Sequence, residues 1–401
     1  MAIAWGEDPF APLLPAPGGR TPRQAIEAAI LPHLERTPCV VTFSGGRDSS
    51  SVLALAVHVA RREGLPLPIP VTNRFPGAEG TDEDEWQELV VAHLGLEDWV
   101  RLDWTDELDM LGPYGLRVLR RHGSLMPHNA HFLEPALDRA EGGSMLTGVG
   151  GDEVLGPRFR ALVAHLLYRR RRPRVRALPQ FARELAPRRL RRRAERRSLP
   201  IDGFQWLKPD VRRNIAESYA ADAVAWPLGW DGALRRYWRG RHVQCVLATL
   251  NALGDDHDVR VGSPFVDPAF LSDYAAAMGP AGPPGRARGL IDLLGDLLPE
   301  RVLRRTTKAS FDVPFWNRHT RAFLEGWTGA GVDDRLVDVE GLRREWAGER
   351  PAGNCYTLLQ HAWLADAPRD GGGLGAESFD QALGALPHRV EPAWSAQAPD
   401  G

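Results

Sequence analysis

The sequence predicts an α/β protein: a parallel sheet with helices on both faces, followed by a mainly helical C-terminal part. Short apolar, β-branched runs alternate with helical stretches from residue 22 to about residue 147. Such alternation is typical of parallel strands joined by helical crossovers. Two of the runs end in glycine-rich turns, and ligands of parallel sheets bind beyond the carboxyl ends of the strands.

Four strands and their helices follow from the apolar periodicity and the turn residues. Three prolines between residues 66 and 70 argue against a fully bonded central strand at the second run. The predicted elements are a helix over 22–34, a strand at 40–43, a helix closed by Gly64, a strand at 69–72, a helix over 82–94, a strand at 99–103, helices around 114–122 and 132–140, and a strand at 144–147.

The chain divides into five predicted segments. They are a flexible leader (1–20), an α/β core (21–157), an arginine-rich insertion (158–200), a mainly helical remainder (201–365) and a flexible tail (366–401). The arginine runs of the insertion favour solvated helix faces and a mobile loop over a basic surface for a polyanion or an acidic peptide. Stacking aromatics are missing among these arginines, so nucleic acid is not expected as a partner.

The bulk composition excludes several functional classes. The chain has 401 residues, 43% of them apolar and 25% charged, and its net charge of −2 gives no overall attraction to nucleic acid or membranes. Cys39, Cys245 and Cys355 form neither a disulfide framework nor a zinc ligand set. No apolar run reaches membrane-spanning length, and the first residues lack a signal-peptide pattern. A cytoplasmic protein without a membrane partner is therefore expected.

The first glycine-rich turn, Ser44–Ser49, has the chemistry of an anion site. Glycines between a strand and a helix allow a tight turn whose N–H groups face one point, where the helix terminus favours negative charge. Ser44 and Ser49 add hydroxyl groups, and Asp48 places a carboxylate that can hold Mg²⁺ beside the anion. The turn predicts a pyrophosphate site for ATP, with a purely structural turn as the alternative. It is not a Walker loop, because the Gly-x-x-x-x-Gly-Lys spacing is absent.

The second turn, Thr147–Glu153, repeats this arrangement of strand, glycines and a carboxylate at the start of a helix. Two such turns at neighbouring strand ends would place Asp48 and Asp152 on opposite sides of one triphosphate. Carboxylates together with phosphate oxygens are the usual ligands of Mg²⁺ in nucleotide sites. The order and spacing of the two turns are therefore more specific than either turn alone.

The pair of turns resembles the synthetase domain of asparagine synthetases and of their relatives, the β-lactam synthetases and the lasso-peptide macrolactam synthetases. Ser-Gly-Gly-x-Asp-Ser is similar to the pyrophosphate loop of the ATP pyrophosphatases. Two later segments agree: His257–Asp267 resembles the family's Pro-Phe-Leu-Asp segment, and Leu298–Pro314 resembles its Leu-Pro…Arg-x-Lys-x-Phe-x-x-Pro segment. The resemblance covers roughly residues 24–365 and implies an adenine nucleotide α-hydrolase-like fold.

The resemblance also implies a role for each matching residue. Thr147 and Gly148 would border the adenosine, and Asp48 and Asp152 would bind Mg²⁺. Lys308 would reach the α-phosphate and the tetrahedral intermediate, where a cation stabilises charge that grows in the transition state. Without the surrounding motif, Lys308 would be interpreted as a surface lysine. The residues that would cradle the β- and γ-phosphates of ATP are Ser44, Gly45, Gly46, Asp48 and Ser49.

The sequence departs from the family in three places. The glutaminase half with its N-terminal catalytic Cys is missing, so the chain is not expected to make ammonia from glutamine. Val149 stands where asparagine synthetases carry Glu and β-lactam synthetases carry Tyr, and Arg260 stands where many relatives carry Glu. Neither Val nor Arg can take a proton from an attacking amine. Either another group does so, with His257 and Asp258 as candidates, or the amine arrives neutral.

The expected reaction has two steps: a carboxylate attacks the α-phosphorus of ATP to give acyl-AMP and pyrophosphate, and an amine then displaces AMP. The departures favour a specialised amide-forming ligase, for a macrolactam, an antibiotic or another natural product. Its partners would be a small-molecule or peptide carboxylate and an amine, with a precursor peptide or partner protein as a further candidate. The alternatives are ammonia-dependent asparagine formation, a tRNA-modifying ATP pyrophosphatase and a non-catalytic scaffold.

Overall fold

A parallel five-stranded sheet forms the centre of the structure, a computed structural model that describes residues 6–156, 161–169, 175–199, 201–307, 309 and 311–366. Its spatial order is β3-β2-β1-β4-β5, and each neighbouring pair is parallel. The predicted fold class is confirmed. The strands are β1 (Cys39–Thr42), β2 (Ile69–Arg74), β3 (Val100–Asp103), β4 (Ser144–Leu146) and β5 (Arg260–Gly262).

Helices connect the strands up to β4 and dominate the described chain after it. The α-helices of the described residues are α1 (Pro22–Leu34), α2 (Arg47–Glu63), α3 (Asp84–Leu94), α4 (Pro113–His122), α5 (Glu134–Arg139), α6 (Gly151–Val154), α7 (Ala161–Arg169), α8 (Leu178–Leu185), α9 (Arg188–Ser198), α10 (Pro209–Ala223), α11 (Trp230–Trp238), α12 (Arg241–Asp256), α13 (Pro268–Met278), α14 (Arg286–Leu294), α15 (Glu300–Leu303), α16 (Asp312–Phe315), α17 (Arg318–Gly326), α18 (Val339–Trp346) and α19 (Tyr356–Asp366). The predicted alternation of strand and helix is therefore present.

Alternate residues of the strands face two hydrophobic layers. Val41 and Leu146 pack in one cluster with residues of α1, α2, α3 and α13. Val40 and Met145 pack in another with residues of α4, α5 and α12. All four side chains are completely buried. Because successive side chains of a strand point to opposite faces, helices cover both faces of the sheet, as predicted.

A separate hydrophobic cluster lies in the helical C-terminal part and is rich in tryptophan. Trp206, Trp316 and Trp346 are each no more than 2% exposed. The ring of Trp346 lies 6.4 Å from that of Trp316 and 4.6 Å from that of Trp327, between centroids. Large buried aromatic surfaces of this kind hold helices together without a sheet. The prediction of a mainly helical C-terminal part is confirmed.

Strand β2 corrects one expectation, because it is internal and not an edge strand. Its pairing with β3 begins only at Val71, after Pro70, and continues to Arg74. Pro70 itself is aligned with Val41 of β1. Pro66 and Pro68 precede the strand. The prolines therefore cluster at its start, where missing N–H groups remove few ladder bonds.

Strand β5 was not predicted, since the sequence after residue 203 was expected to be helical. It has three residues and pairs only with β4 among the described strands, with Arg260 opposite Ser144 and Gly262 opposite Leu146. A side chain at position 262 would collide with the ring of His33. So short a run carries no alternation that a sequence pattern would reveal.

Residues 6–20, the described part of the predicted flexible leader (1–20), lie against α11 and α13. The carbonyl of Pro12 accepts a hydrogen bond from Trp238 Nε1 (2.7 Å), and that of Pro15 accepts one from Ser272 Oγ (2.6 Å). Gly19 N donates to Asp273 Oδ1 at 3.1 Å.

The predicted tail lies outside the described residues, except for residue 366. No helix in the described ranges is long and apolar enough to cross a membrane.

The arginine-rich insertion forms α7, α8 and α9 where the structure describes it. Most arginines of α9 are exposed, and two of them contact a carboxylate on the neighbouring α10: Arg192 Nη2 lies 2.5 Å and Arg196 Nη1 3.5 Å from Glu217. This arrangement agrees with solvated helix faces. Residues 158–160, 170–174 and 200 of the predicted insertion lie outside the described residues.

Candidate functional site

The two glycine-rich turns leave neighbouring strands at the same edge of the sheet. The chain runs from β1 outward to β2 and β3 and then crosses to β4 on the other side of β1. The carboxyl ends of β1 and β4 therefore flank the point where the strand order reverses. Crevices at such points are the usual ligand sites of open parallel sheets. The structure thus brings the two predicted turns together.

The first turn is closed by its own serine hydroxyls. Ser49 Oγ accepts from Ser44 N (3.2 Å), lies 3.1 Å from Ser44 Oγ and donates to Gly46 O (3.2 Å). Gly45 has a φ of +78°, and a Cβ there would lie 2.8 Å from Gln87 Cγ. Gly46 is the N-cap of α2 and supplies no side-chain cap. The first N–H groups of α2 therefore face the turn without a capping side chain, which suits an anion.

The second turn is held by β5. Thr147 N donates to Gly262 O at 2.8 Å, and Thr147 Oγ1 lies 2.8 Å from Ser263 Oγ. Gly150 has a φ of +90°, and a Cβ there would collide with Val266. Strand β5 and the residues that follow it therefore set the path of Thr147 and of the glycines after it.

Glycines let the two turns touch. A Cβ at Gly148 would lie 2.9 Å from Ser49 N, and one at Gly151 would collide with the carboxyl of Asp48. Backbone of the second turn therefore lies directly against the start of α2. No larger residue fits there without moving one turn away from the other.

Asp48 and Asp152 meet across this contact, with the guanidinium of Arg286 between them. Arg286 Nη2 lies 2.6 Å from both carboxylate oxygens of Asp48, and Nη1 pairs with Asp152. Burial raises the pKa of Asp48, an effect that Arg286 opposes and the charge of Asp152 reinforces. The convergence of the two aspartates was predicted from the sequence, whereas Arg286 was not.

Three arginines surround the first turn. Burial and the charge of Arg286 lower the pKa of Arg47, and Arg305 acts in the same direction. Clustered cations favour an anion among them. Together with the start of α2, they give this edge of the sheet the electrostatics of a polyphosphate site.

Arg305 attaches the last motif segment to the first turn. Its Nη1 donates to Gly45 O (3.1 Å), its guanidinium pairs with Glu83, and it lies 4.6 Å above the ring of Trp86. Glu83 and Arg305 are 6% and 4% exposed, so this ion pair is buried. Lys308, three residues further on, lies outside the described residues. Its role stays a prediction.

His257 and Asp258 are not placed to serve as the general base, so this expectation was wrong. Both precede β5, and the turns follow the ends of β1 and β4, to which β5 is parallel in the sheet. A three-residue strand separates the two edges by about 10 Å. Arg260, the first residue of β5, lies at the far edge too. Val149 does lie in the second turn, but it has no titratable group.

His257 belongs instead to a structural cluster. Its ring nitrogens lie 3.5 Å from Glu134 and from Asp138, and Arg117 Nε donates to Glu134 at 2.6 Å. Burial lowers the pKa of His257, but the hydrogen bond and charge of Glu134, with the charge of Asp138, outweigh it and leave the pKa raised. A raised pKa stabilises the fold fully below the ordinary value of about 6.5, and this contribution is lost as the pH rises through the folded value.

His257→Gln should therefore lower the free energy of unfolding more at pH 5.5 than at pH 8.5. Urea unfolding at both pH values measures the difference. His93→Gln, at an exposed histidine on α3, is the control for the loss of an imidazole. Equal losses for His257→Gln at both pH values would contradict the assignment.

Comparison with known protein families supports the site. The model of the family described as asparagine synthase matches residues 22–363. No curated protein sequence matches the chain. The match includes both turns, β5 and the segment of Arg305, which together build the edge described above. The chain therefore belongs to the asparagine synthase family, whose members are ATP-dependent carbon–nitrogen ligases.

Proposed function

We propose that the protein activates a substrate carboxylate as an acyl adenylate, with release of pyrophosphate, and transfers the acyl group to an amine. The observation that carries this proposal is the convergence of Asp48 and Asp152 from two glycine-rich turns at the switch point of the sheet. Membership of the asparagine synthase family supports the general class of reaction.

The residues present fit ATP with Mg²⁺. No group of three or more acidic, histidine or cysteine side chains in the described part of the chain would hold a metal alone. Mg²⁺ in nucleotide sites commonly binds one or two carboxylates, completes its shell with phosphates and water, and neutralises phosphate charge. Asp48 and Asp152 would supply the two carboxylates.

The first turn would hold the pyrophosphate that leaves. The N–H groups at the start of α2 would donate to this negative charge, Arg47 and Arg305 add positive charge beside it, and the hydroxyls of Ser44 and Ser49 hold the turn in shape. These groups are already in place before the reaction. Donors that need no rearrangement stabilise charge as it develops on the leaving group.

The acyl donor and the amine are proposed from the departures from the family. Val149 stands where asparagine synthetases carry Glu, and this departure supports a specialised amide over asparagine as the product. A macrolactam or other natural product is the version we propose. A precursor peptide is one candidate acyl donor. The three free cysteines support a cytoplasmic enzyme.

A pyrophosphate-release screen tests the proposal. Acidic amino acids, β-amino acids and candidate precursor peptides would be offered with ATP and Mg²⁺, each with and without an amine. We expect release of pyrophosphate and AMP with a defined class of carboxylate, and an amide product by mass spectrometry. Formation of asparagine from aspartate and ammonium would replace the specialised ligase with the simpler activity. Absence of both pyrophosphate release and thermal stabilisation by ATP would favour a scaffold.

Lys308→Ala should lower turnover by at least about 10²-fold while ATP still binds, because the charge it would stabilise develops only during the reaction. Pyrophosphate release and ATP-dependent thermal shift measure the two properties separately. Lys208, the other lysine of the chain, is exposed and is the N-cap residue of α10, so Lys208→Ala serves as the control. Unchanged turnover would remove Lys308 from the site.

A further inference from the structure

Arg286 occupies the place between two aspartates where the proposed function puts a divalent cation. Its Nη2 is 2.6 Å from Oδ1 and from Oδ2 of Asp48, and its Nη1 pairs with Oδ1 of Asp152. The side chains of Arg286 and Asp48 are each 18% exposed. One guanidinium therefore bridges both proposed metal ligands.

A divalent metal and this guanidinium exclude each other. Mg²⁺ binds carboxylate oxygens at about 2.0–2.1 Å and would use the oxygens of Asp48 that already contact Arg286. Two cations on the oxygens of Asp48 would also repel strongly, since Asp48 and Arg286 are largely shielded from water. Binding of a metal to both aspartates thus requires Arg286 to move.

The local backbone gives Arg286 an unusual attachment. It is the first residue of α14, and its N-cap is Gly285 with a φ of +147°. Gly282, just upstream, has a φ of +67°. Arg286 Nε is buried and has no hydrogen-bond partner among the described residues. The described ion pairs of Arg286 are therefore those to the two aspartates. Its Nε–H group can still donate a hydrogen bond.

We propose that Arg286 is an internal substitute for the metal: it pairs with both Asp48 and Asp152 in the nucleotide-free protein and excludes divalent cations until ATP binds. This inference rests on the proposed function, because it takes the two aspartates as metal ligands. The metal then enters with the nucleotide, and the displaced guanidinium faces the phosphates beside Arg47. Order of binding follows from charge, since Arg286 and Arg47 together balance the two carboxylates without a metal.

The size of the effect follows from population arithmetic. A ligand that binds only a minor conformation has its affinity lowered by the fraction of that conformation. Minor states of proteins are commonly populated at about 0.1–10%. If the Arg286-displaced state lies in this range, the free protein binds a divalent cation about 10- to 1,000-fold more weakly than a variant without the guanidinium.

Mn²⁺ binding in the absence of nucleotide tests the inference. Electron paramagnetic resonance of free Mn²⁺ would give the dissociation constants of the wild type, Arg286→Gln and Arg288→Gln. Arg288 lies on the same helix, is exposed and pairs with Asp292, so its variant is the matched control. We expect Arg286→Gln to bind Mn²⁺ at least about tenfold more tightly than the wild type, and Arg288→Gln to match the wild type. Equal Mn²⁺ affinity of the wild type and Arg286→Gln would overturn the inference.

Two further variants locate the site and guard against loss of folding. Asp48→Asn combined with Arg286→Gln should lose the gained Mn²⁺ affinity; retention of that gain would overturn the inference, because the metal would lie elsewhere. Arg286→Lys keeps one charge on a single nitrogen, which cannot bridge two carboxylates as a guanidinium does. The Mn²⁺ affinity of this variant should therefore lie between those of the wild type and Arg286→Gln. None of these measurements needs turnover. If the ligase assay fails but Arg286→Gln binds Mn²⁺ more tightly, the proposed function falls and this inference stands. If the ligase assay succeeds but the Mn²⁺ affinity is unchanged, this inference falls and the proposed function stands.

Discussion

Asp48→Asn is expected to lower the rate of AMP formation by at least about 10²- to 10³-fold with the fold intact. The carboxylate lies at the start of α2, in contact with the second turn through Gly151 and with Arg286. An amide there has nearly the same shape but no negative charge for a metal–nucleotide complex. Asp152→Asn should have an effect of the same order, since it removes the other carboxylate proposed to bind the metal.

The measurement is pyrophosphate release under saturating ATP, with circular dichroism and a melting curve to verify folding. Asp103→Asn is the matched control: Asp103 ends β3 at the same edge of the sheet, is half-exposed and pairs with Arg74 at 3.4 Å. It should leave the rate unchanged. If Asp48→Asn released pyrophosphate at a rate within about tenfold of the wild type, the first turn would not bind the nucleotide during the reaction.

The sequence predicted the sheet and both turns because these features are local. Four strands are short apolar runs next to helices, and each turn combines glycines with an aspartate at a helix start. The convergence of Asp48 and Asp152 followed from one general rule, that parallel strands end at a common edge. Local pattern and topology together were sufficient for this part of the site.

The cations of the site were not predicted because their partners are distant in sequence. Arg286 is separated from Asp48 by 238 residues, and Arg305 from Gly45 by 260. Among 50 Lys and Arg residues, nothing in the local pattern distinguishes the two that close the site. Arg305 does lie inside the segment that resembles the family, which was the available signal. Arg286 follows a Gly- and Pro-rich stretch with no motif.

The wrong assignment of His257 has a different origin. Proximity in sequence to the Pro-Phe segment suggested a place near the site. Strand β5 lies between them, and a strand carries its two ends to opposite edges of the sheet. Because β5 was not recognised, the edge on which His257 lies was not predicted either.

Arg305→Met is expected to lower the free energy of unfolding by about 3–5 kcal/mol, because it leaves the carboxylate of Glu83 buried without its partner. The double variant Arg305→Met with Glu83→Gln should recover much of this loss, since no buried charge then stands alone. Turnover should stay low in the double variant. The hydrogen bond from Arg305 to Gly45 O, which holds the segment before Lys308 against the first turn, is missing from it.

Arg301 on α15 and Glu85 on α3, close in sequence to Arg305 and Glu83, provide a control, because they form an ion pair whose side chains are 61% and 70% exposed. Arg301 also lies above the ring of Trp86, at 4.9 Å, so Arg301→Met removes the same type of contacts without burial. Exposed pairs contribute about 0–1 kcal/mol, and this variant should lose no more than that. Urea unfolding of the single and double variants gives the coupling energy between Arg305 and Glu83. Equal costs of Arg305→Met and Arg301→Met would show that the buried pair does not stabilise the fold more than the exposed pair. Return of turnover together with stability in the double variant would show that Arg305 stabilises the fold and does not position the active segment.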